Sequence, residues 1–181
     1  SAWKYEIMSF TFTSLNKDKI LEFTIKGYPE HNGVTEQLHK LEPGDELIIR
    51  EPWGTINYEG PGVFIAGGAG ITPFIAIFRD LREKGKLAGN KLFFSNKRAQ
   101  DVILEKELRG MFAEENALFT LTEEGTEEER CGYDSRYVDK EFLEKEISDF
   151  SQNFYVCGPP GMVRDIKNHL DALGANPSSI I

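Results

Sequence analysis

The chain has 181 residues, 40% of them hydrophobic and 12% aromatic, enough for one good core or two modest ones. Its net charge of -9 speaks against a phosphate-tracking nucleic-acid surface and an anionic membrane surface, and no apolar run nears the ~20 residues of a membrane span. Cys131 and Cys157 form no CxxC pair, and His31, His39 and His169 are scattered, so no disulfide scaffold or metal site is expected. No apolar leader follows Ser1, and a cytoplasmic, reducing setting is the expectation.

In chain order, β-type signals come first, over residues 10–13, 20–26 and 46–50, divided by turn clusters at 28–33 and 42–45. The pattern changes at Gly60-Pro61-Gly62. Beyond it, strands are predicted over 63–66, 91–94, 117–121 and 154–157, with a fifth beginning at Ile180-Ile181. Between them, helices are predicted over 73–84, 102–112, 140–147 and 162–173. In the first helix Phe74, Ile77, Phe78 and Leu81 form an i, i+3, i+4, i+7 core stripe. Alternation of this kind predicts an α/β fold with a doubly wound parallel five-stranded sheet over residues 61–181. Residues 1–60 read as a partial antiparallel β-barrel unit. The acidic run from Glu123 to Glu129 reads as a solvated loop.

The stretch FIAGGAGITPF, residues 64–74, ends a strand and opens a helix. Gly67, Gly68 and Gly70 allow backbone angles and close approaches that a β-carbon blocks. Thr72 is expected as the N-cap and Pro73 at the first helical position. The helix then turns its free N–H groups toward the turn and welcomes an anion. By itself the motif is weak, but after the first strand of a βα series it points to nucleotide binding. The second strand ends FFSNKR, without the acidic residue that often meets a ribose 2′-hydroxyl. Lys97 and Arg98 there either favour a 2′-phosphate, and so NADP over NAD, or simply cap a solvent-facing turn. A second strand–turn–helix, NFYVCGPPGMV, covers residues 153–163. If its strand lies beside the first, the two turns flank one crevice, with Gly158, Pro159 and Cys157 on the ligand side. Cys157 beside a helix N-terminus would favour a thiolate, while the plainer alternative is a small buried hydrophobe.

The stretches GVFIAGGAGITPFIAIFRDL, FFSNKRAQDVILEKEL, DKEFLEKEI and YVCGPPGMV, spanning most of residues 60–173, resemble the ferredoxin–NADP reductase family, and more closely its bacterial flavodoxin/ferredoxin reductase-like members. The resemblance implies that Gly67, Gly68, Gly70, Ile71 and Thr72 meet the pyrophosphate of NADP or NAD. It implies that Cys157, with Gly158 and Pro159, places the nicotinamide for hydride transfer to FAD. MSFTFTSL resembles the flavin signature: Phe10 would stack on the ring, Thr11 would reach the hydride-accepting nitrogen, and Gly33, Val34 and Thr35 would meet flavin pyrophosphate. Read without the family, Phe10 and Phe12 are one face of a strand and Thr11 and Thr13 the other. Met8 stands where the family carries an arginine, and only three barrel strands are discernible before Gly60.

The resemblance thus implies an NAD(P)H-dependent flavoprotein oxidoreductase whose electrons pass to a flavodoxin or ferredoxin acceptor. The alternative is a nicotinamide-nucleotide-binding module that has lost flavin and turnover. A cysteine hydrolase lacks a base partner and a nucleophile elbow.

Overall fold

The computed structural model describes residues 6–27, 33–54, 56–123 and 132–181. Its centre is a parallel sheet of β1 (Gly62–Gly67), β2 (Lys91–Asn96), β3 (Ala117–Leu121) and β4 (Asn153–Cys157), in the order β3-β2-β1-β4. The expected fifth strand is reduced to a single parallel bridge of Ile180 to Phe154 at the open edge of β4. A bridge of Asp134 to Thr120 closes the other edge in the same way.

Every residue of β1 is buried, as a central parallel strand covered on both faces must be. One face packs on α2 (Thr72–Glu83) and the short α3 (Glu105–Arg109), through Phe74, Ile75, Phe78 and Leu108. The other packs on α4 (Lys140–Glu146) and α5 (Pro160–Ala172), through Phe142, Leu143, Ile166 and Leu170. The α2 stripe is shifted from its predicted set: Ile75 is buried and Ile77 only half-buried. α3 is much shorter than the 102–112 helix predicted. A 3₁₀ turn at Ala99–Asp101 and a left-handed Leu104 (φ 50°) precede it. Tyr155 stacks on Phe64 at 4.2 Å and Phe64 meets Phe78 edge-on at 4.7 Å, so aromatic packing locks β4 to β1 and β1 to α2. The Tyr155 hydroxyl donates to Gly60 O and accepts from Glu59 N, which fixes the chain just before β1.

The predicted strands before Gly60 do not form as a barrel ladder. Among the described residues, segments 10–13 and 20–26 share one antiparallel bridge, Phe12 to Phe23, and residues 46–50 form no strand. A strand is stabilised by its neighbours, and three segments with β-type patterning cannot close a barrel among themselves. The strip Leu47, Ile48 and Ile49 is accordingly exposed, as is Trp53. α1 (Val34–Leu38) is one short turn of helix with no buried residue.

Candidate functional site

The chain leaves β1 toward β2 and β3 on one side, then returns to place β4 on the other side of β1. The seam between β1 and β4 is therefore the point where strand order reverses, where open α/β sheets bind ligands. Ala66 pairs with Cys157 across it. α2, through the 3₁₀ turn that opens it, and α5 begin directly beyond these two strands, so both turn their positive dipole ends toward the same seam.

The glycines serve two different purposes. A β-carbon at Gly70 would lie 2.2 Å from Cys157 O, and one at Gly67 would lie 2.3 Å from Met162 Sδ. A β-carbon on Gly158 would crowd Gly67 N at 3.1 Å. These three let the two turns interlock. Gly68 is different: its φ is +52° and a β-carbon there would meet nothing within 4 Å. Among the loop glycines, Gly68 is thus the one whose backbone faces open space for a ligand. Ile71 is fully buried and anchors the turn from below.

Thr72 is not the N-cap. The cap position falls on Ile71, and Thr72 is the first helical residue, with its hydroxyl donating to Ala69 O at 3.0 Å. A 3₁₀ turn over Gly68–Ile71 runs straight into α2, so Thr72 N donates back to Ala69 O, Pro73 has no N–H to offer, and no side chain caps the helix. Pro159 stands at the N-cap of α5 and Pro160 opens it, where the missing N–H costs nothing.

Cys157 is half-buried at the end of β4 and packs against the α2-side core. Burial pushes its thiol up from the ordinary value, and a hydrogen bond with the Gly158 backbone offsets this only in part. Burial thus weighs toward the buried-hydrophobe alternative and against a thiolate. Cys157 offers a neutral, polarisable surface beside the seam, and no histidine pairs with it among the described residues.

At the end of β2, Lys97 is paired with Glu123 at 2.6 Å, and Glu123 N donates to Lys97 O. An acidic side chain is thus brought to the end of β2 from just beyond β3. Arg98 is exposed and makes no ion pair among the described residues. Asn96, between Lys97 and the core, is only 5% exposed.

On the flavin side, Phe10 is half-buried and Thr11 exposed, so the two remain open to a ring. Met8 is half-exposed and uncharged, and α1 carries no side-chain cap near Gly33, Val34 and Thr35. If a flavin sits here as the resemblance implies, Phe10 and Thr11 would face its ring and Met8 would offer no cation to its phosphate. Residues 28–32, and Cys131 with most of the acidic run, lie outside the described residues.

Sequence reading missed the bolt between the two halves. Arg79 of α2 grips Glu107 of α3 with Nε at 2.7 Å and Nη2 at 2.9 Å, while Nη1 donates to Thr13 O and Glu22 Oε1. Thr13 is fully buried beneath it and donates to Glu22. Nothing in a lone arginine on a helix signals partners so distant in sequence.

A parallel sheet wound on both faces, with two glycine turns over its reversal seam, defines a nicotinamide-nucleotide-binding domain of the ferredoxin reductase-like class. The oxidoreductase NAD-binding domain model matches residues 64–168, and the chain belongs to that family. Similar curated proteins include NADH-cytochrome b5 reductase 1 of Candida glabrata, 30% identical over 92% of this chain and 62% of its own length. Its counterpart from Arabidopsis thaliana is 29% identical over 94% of this chain and 64% of its own length. The chain thus spans less than two thirds of either relative. The cytochrome b5 reductase domain of Ulva prolifera nitrate reductase shares the fold, with a TM-score of 0.79 at 22% identity over 95% of this chain and 75% of that one. Flavohemoglobin from Malassezia yamatoensis does so with a TM-score of 0.74 at 21% identity, over 95% and 45%.

Proposed function

We propose that the chain carries the NADH-handling unit of a flavin-dependent oxidoreductase whose electrons go to a cytochrome b5-type haem protein, in place of the flavodoxin or ferredoxin expected from sequence. The observation that carries the nucleotide reading is the β1/β4 seam, where Gly68 lies open beneath two converging helix ends. The haem acceptor rests on the similarity to NADH-cytochrome b5 reductases.

In this reading the pyrophosphate lies over Gly68 and the backbone of the 3₁₀ turn that leads into α2, at the positive end of the helix dipole. Cys157 sets one wall against the nicotinamide. Gly158 and Pro159 hold that wall close to β1. Phe10 and Thr11 are the residues that would face the flavin ring. The flavin, when bound, supplies the conversion of a hydride pair into single electrons. The test is NADH binding by calorimetry, followed by NADH-dependent reduction of a cytochrome b5 with added FAD. No NADH binding by a folded chain overturns the reading.

In this reading NADH is favoured over NADPH because Lys97 is already paired with Glu123, whose carboxylate would repel a phosphate brought to Lys97. The pair is largely exposed, so its effect is modest. Glu123→Gln is expected to raise the NADPH-to-NADH affinity ratio roughly 5-fold, or ~1 kcal/mol. An unmoved ratio removes Glu123 from nucleotide choice.

The missing cation at Met8 has its own consequence. The chain is expected to purify with little FAD, and Met8→Arg is expected to tighten FAD by at least ~10-fold through charge-assisted contacts to phosphate. The visible spectrum of purified protein and an FAD titration of both forms check this. Stoichiometric yellow protein without the substitution contradicts it.

A further inference from the structure

α2 opens at the Gly68 turn, and about two helical turns later its Arg79 takes hold of the N-terminal segment. Glu107 fixes the guanidinium through Nε and Nη2 and leaves Nη1 to Thr13 O and Glu22 Oε1. What Nη1 holds is itself tied down. Thr13 N donates to Glu22 O, and Thr13 Oγ1 donates to Glu22 Oε1 at 2.8 Å and accepts from Thr24 Oγ1 at 3.1 Å. Glu22 N donates to Ser14 Oγ at 3.0 Å. Thr13 and Ser14 are both buried in this network. A planar fork gripping fixed acceptors on two sides defines a position as well as an attraction.

A second contact gives the direction of the segment. Lys17 pairs with Glu83 at the end of α2, and Leu15 and Lys17 line a cleft with Ile77, Asp80 and Leu81. From Lys17 back to Thr13 the segment therefore climbs α2 from Glu83 to Arg79, toward the head of the helix. Phe12 bridges to Phe23, so the chain before Thr13 begins as a strand. Residues 10–13 as extended chain span roughly 10 Å. The helix from Thr72 to Arg79 spans roughly the same 10 Å. Continued along α2, the segment brings Phe10 and Thr11 level with the Gly68 turn.

We propose that Arg79 is a positioning residue: through Thr13 and Glu22 it sets the height of Phe10 and Thr11 against a nucleotide bound over Gly68. This rests on the nucleotide reading above. α2 then carries the nucleotide at its head and the opposing strand two turns below, so neither slides along the other. A slip of one residue moves a strand side chain by about 3.3 Å and turns it to the other face. Between two groups held for reaction, a misplacement of ~1 Å is already costly. Lysine restores only part of the grip, because an ammonium lacks the fork that spans Glu107 and Thr13.

The experiment reads the distance with NADH alone. Thr11→Trp puts an indole at an exposed position of the segment, and energy transfer to the reduced nicotinamide of bound NADH drains its emission. The response of Trp3 and Trp53, measured on the unsubstituted chain, is subtracted. Fluorescence and calorimetric titrations are run on Thr11→Trp alone, with Arg79→Met and with Arg79→Lys. The expected result is strong quenching in Thr11→Trp, cut roughly twofold or more by Arg79→Met and less by Arg79→Lys, with NADH affinity held within about twofold throughout. If Arg79→Met does not fold, Glu22→Gln, which leaves Arg79 on Glu107, is put through the same titrations. Undiminished quenching in the folded variant overturns the proposal. So does quenching that falls only in step with NADH affinity, which marks damage to the turn itself. Absence of quenching in Thr11→Trp saturated with NADH also overturns it, since the segment then stands away from the nucleotide. Failure of the unsubstituted chain to bind NADH overturns the underlying reading, and is distinguished by needing no variant.

Discussion

Gly70→Val is expected to destabilise the folded chain by more than ~3 kcal/mol and to abolish nucleotide binding as a consequence. The reason is not a phosphate contact. A β-carbon at residue 70 falls 2.2 Å from Cys157 O, 2.5 Å from Cys157 C and 2.6 Å from Gly158 N. All three atoms belong to backbone, held in place by the pairing of β4 with β1 and by the start of α5. No rotamer change relieves such a clash, so one of two interlocked turns must move, and close-packed interiors resist that. Against the 5–15 kcal/mol that hold a domain together, roughly 3 is a large share. Gly68→Ala makes the contrast. Its methyl group meets no atom, and the cost is the left-handed backbone, about 1–2 kcal/mol. That variant is expected to stay folded and to bind NADH more weakly, because the methyl enters the space proposed for pyrophosphate. Urea unfolding and NADH titration of both variants separate the roles. A Gly70→Val protein as stable as its parent shows that the interlock does not hold the turns.

Arg79→Met is expected to cost about 2 kcal/mol and to release the segment 12–24 from α2. The Arg79 side chain is 19% exposed and reaches α3 and the N-terminal segment at once. Removing it leaves Glu107 and Glu22 charged, facing each other's field with no cation between them. A fully buried pair broken in this way costs ~3–5 kcal/mol, and the figure is lowered here for partial exposure. Adding Glu107→Gln to Arg79→Met should recover part of the loss, and the double-mutant cycle isolates the pair. The pH dependence has a definite sign. Arg79 holds the carboxyls of both Glu22 and Glu107 below the ordinary glutamate value, through hydrogen bonds first and charge second. A carboxylate depressed in the folded state contributes stability above its unfolded pKa and loses it as pH falls through the folded one. The parent should therefore lose stability below about pH 4.5, more steeply than Arg79→Met. Parallel pH curves for the two proteins contradict this, and hydrogen exchange over residues 12–24 reports whether the segment lets go.

The strand–glycine–helix units were legible because each is local. Continuous apolar runs bounded by glycine mark buried parallel strands, and Thr72, Pro73 and Pro160 mark where helices open. What misled the reading of Thr72 was equally local: an N-cap requires extended backbone, and the 3₁₀ turn over Gly68–Ile71 carries helical angles one residue further back. For Cys157 a helix end and burial were both open from the sequence, and only the packing weighs one against the other. Its burial depends on the α2-side core against which it packs, which no spacing of residues reveals.

The amino-acid sequence by itself determined the α/β class, the two glycine turns and their order, since these follow from periodicity and backbone chemistry within windows of a dozen residues. Only the tertiary structure decided that β4 lies against β1, that Gly70 and Gly67 serve packing while Gly68 stays open, and that Glu123 closes on Lys97. It alone brought Arg79 to Glu22. Each of these is a meeting of residues far apart in the chain. Such meetings are set by which faces of the sheet and helices must be buried together, and a linear pattern carries no record of which face meets which.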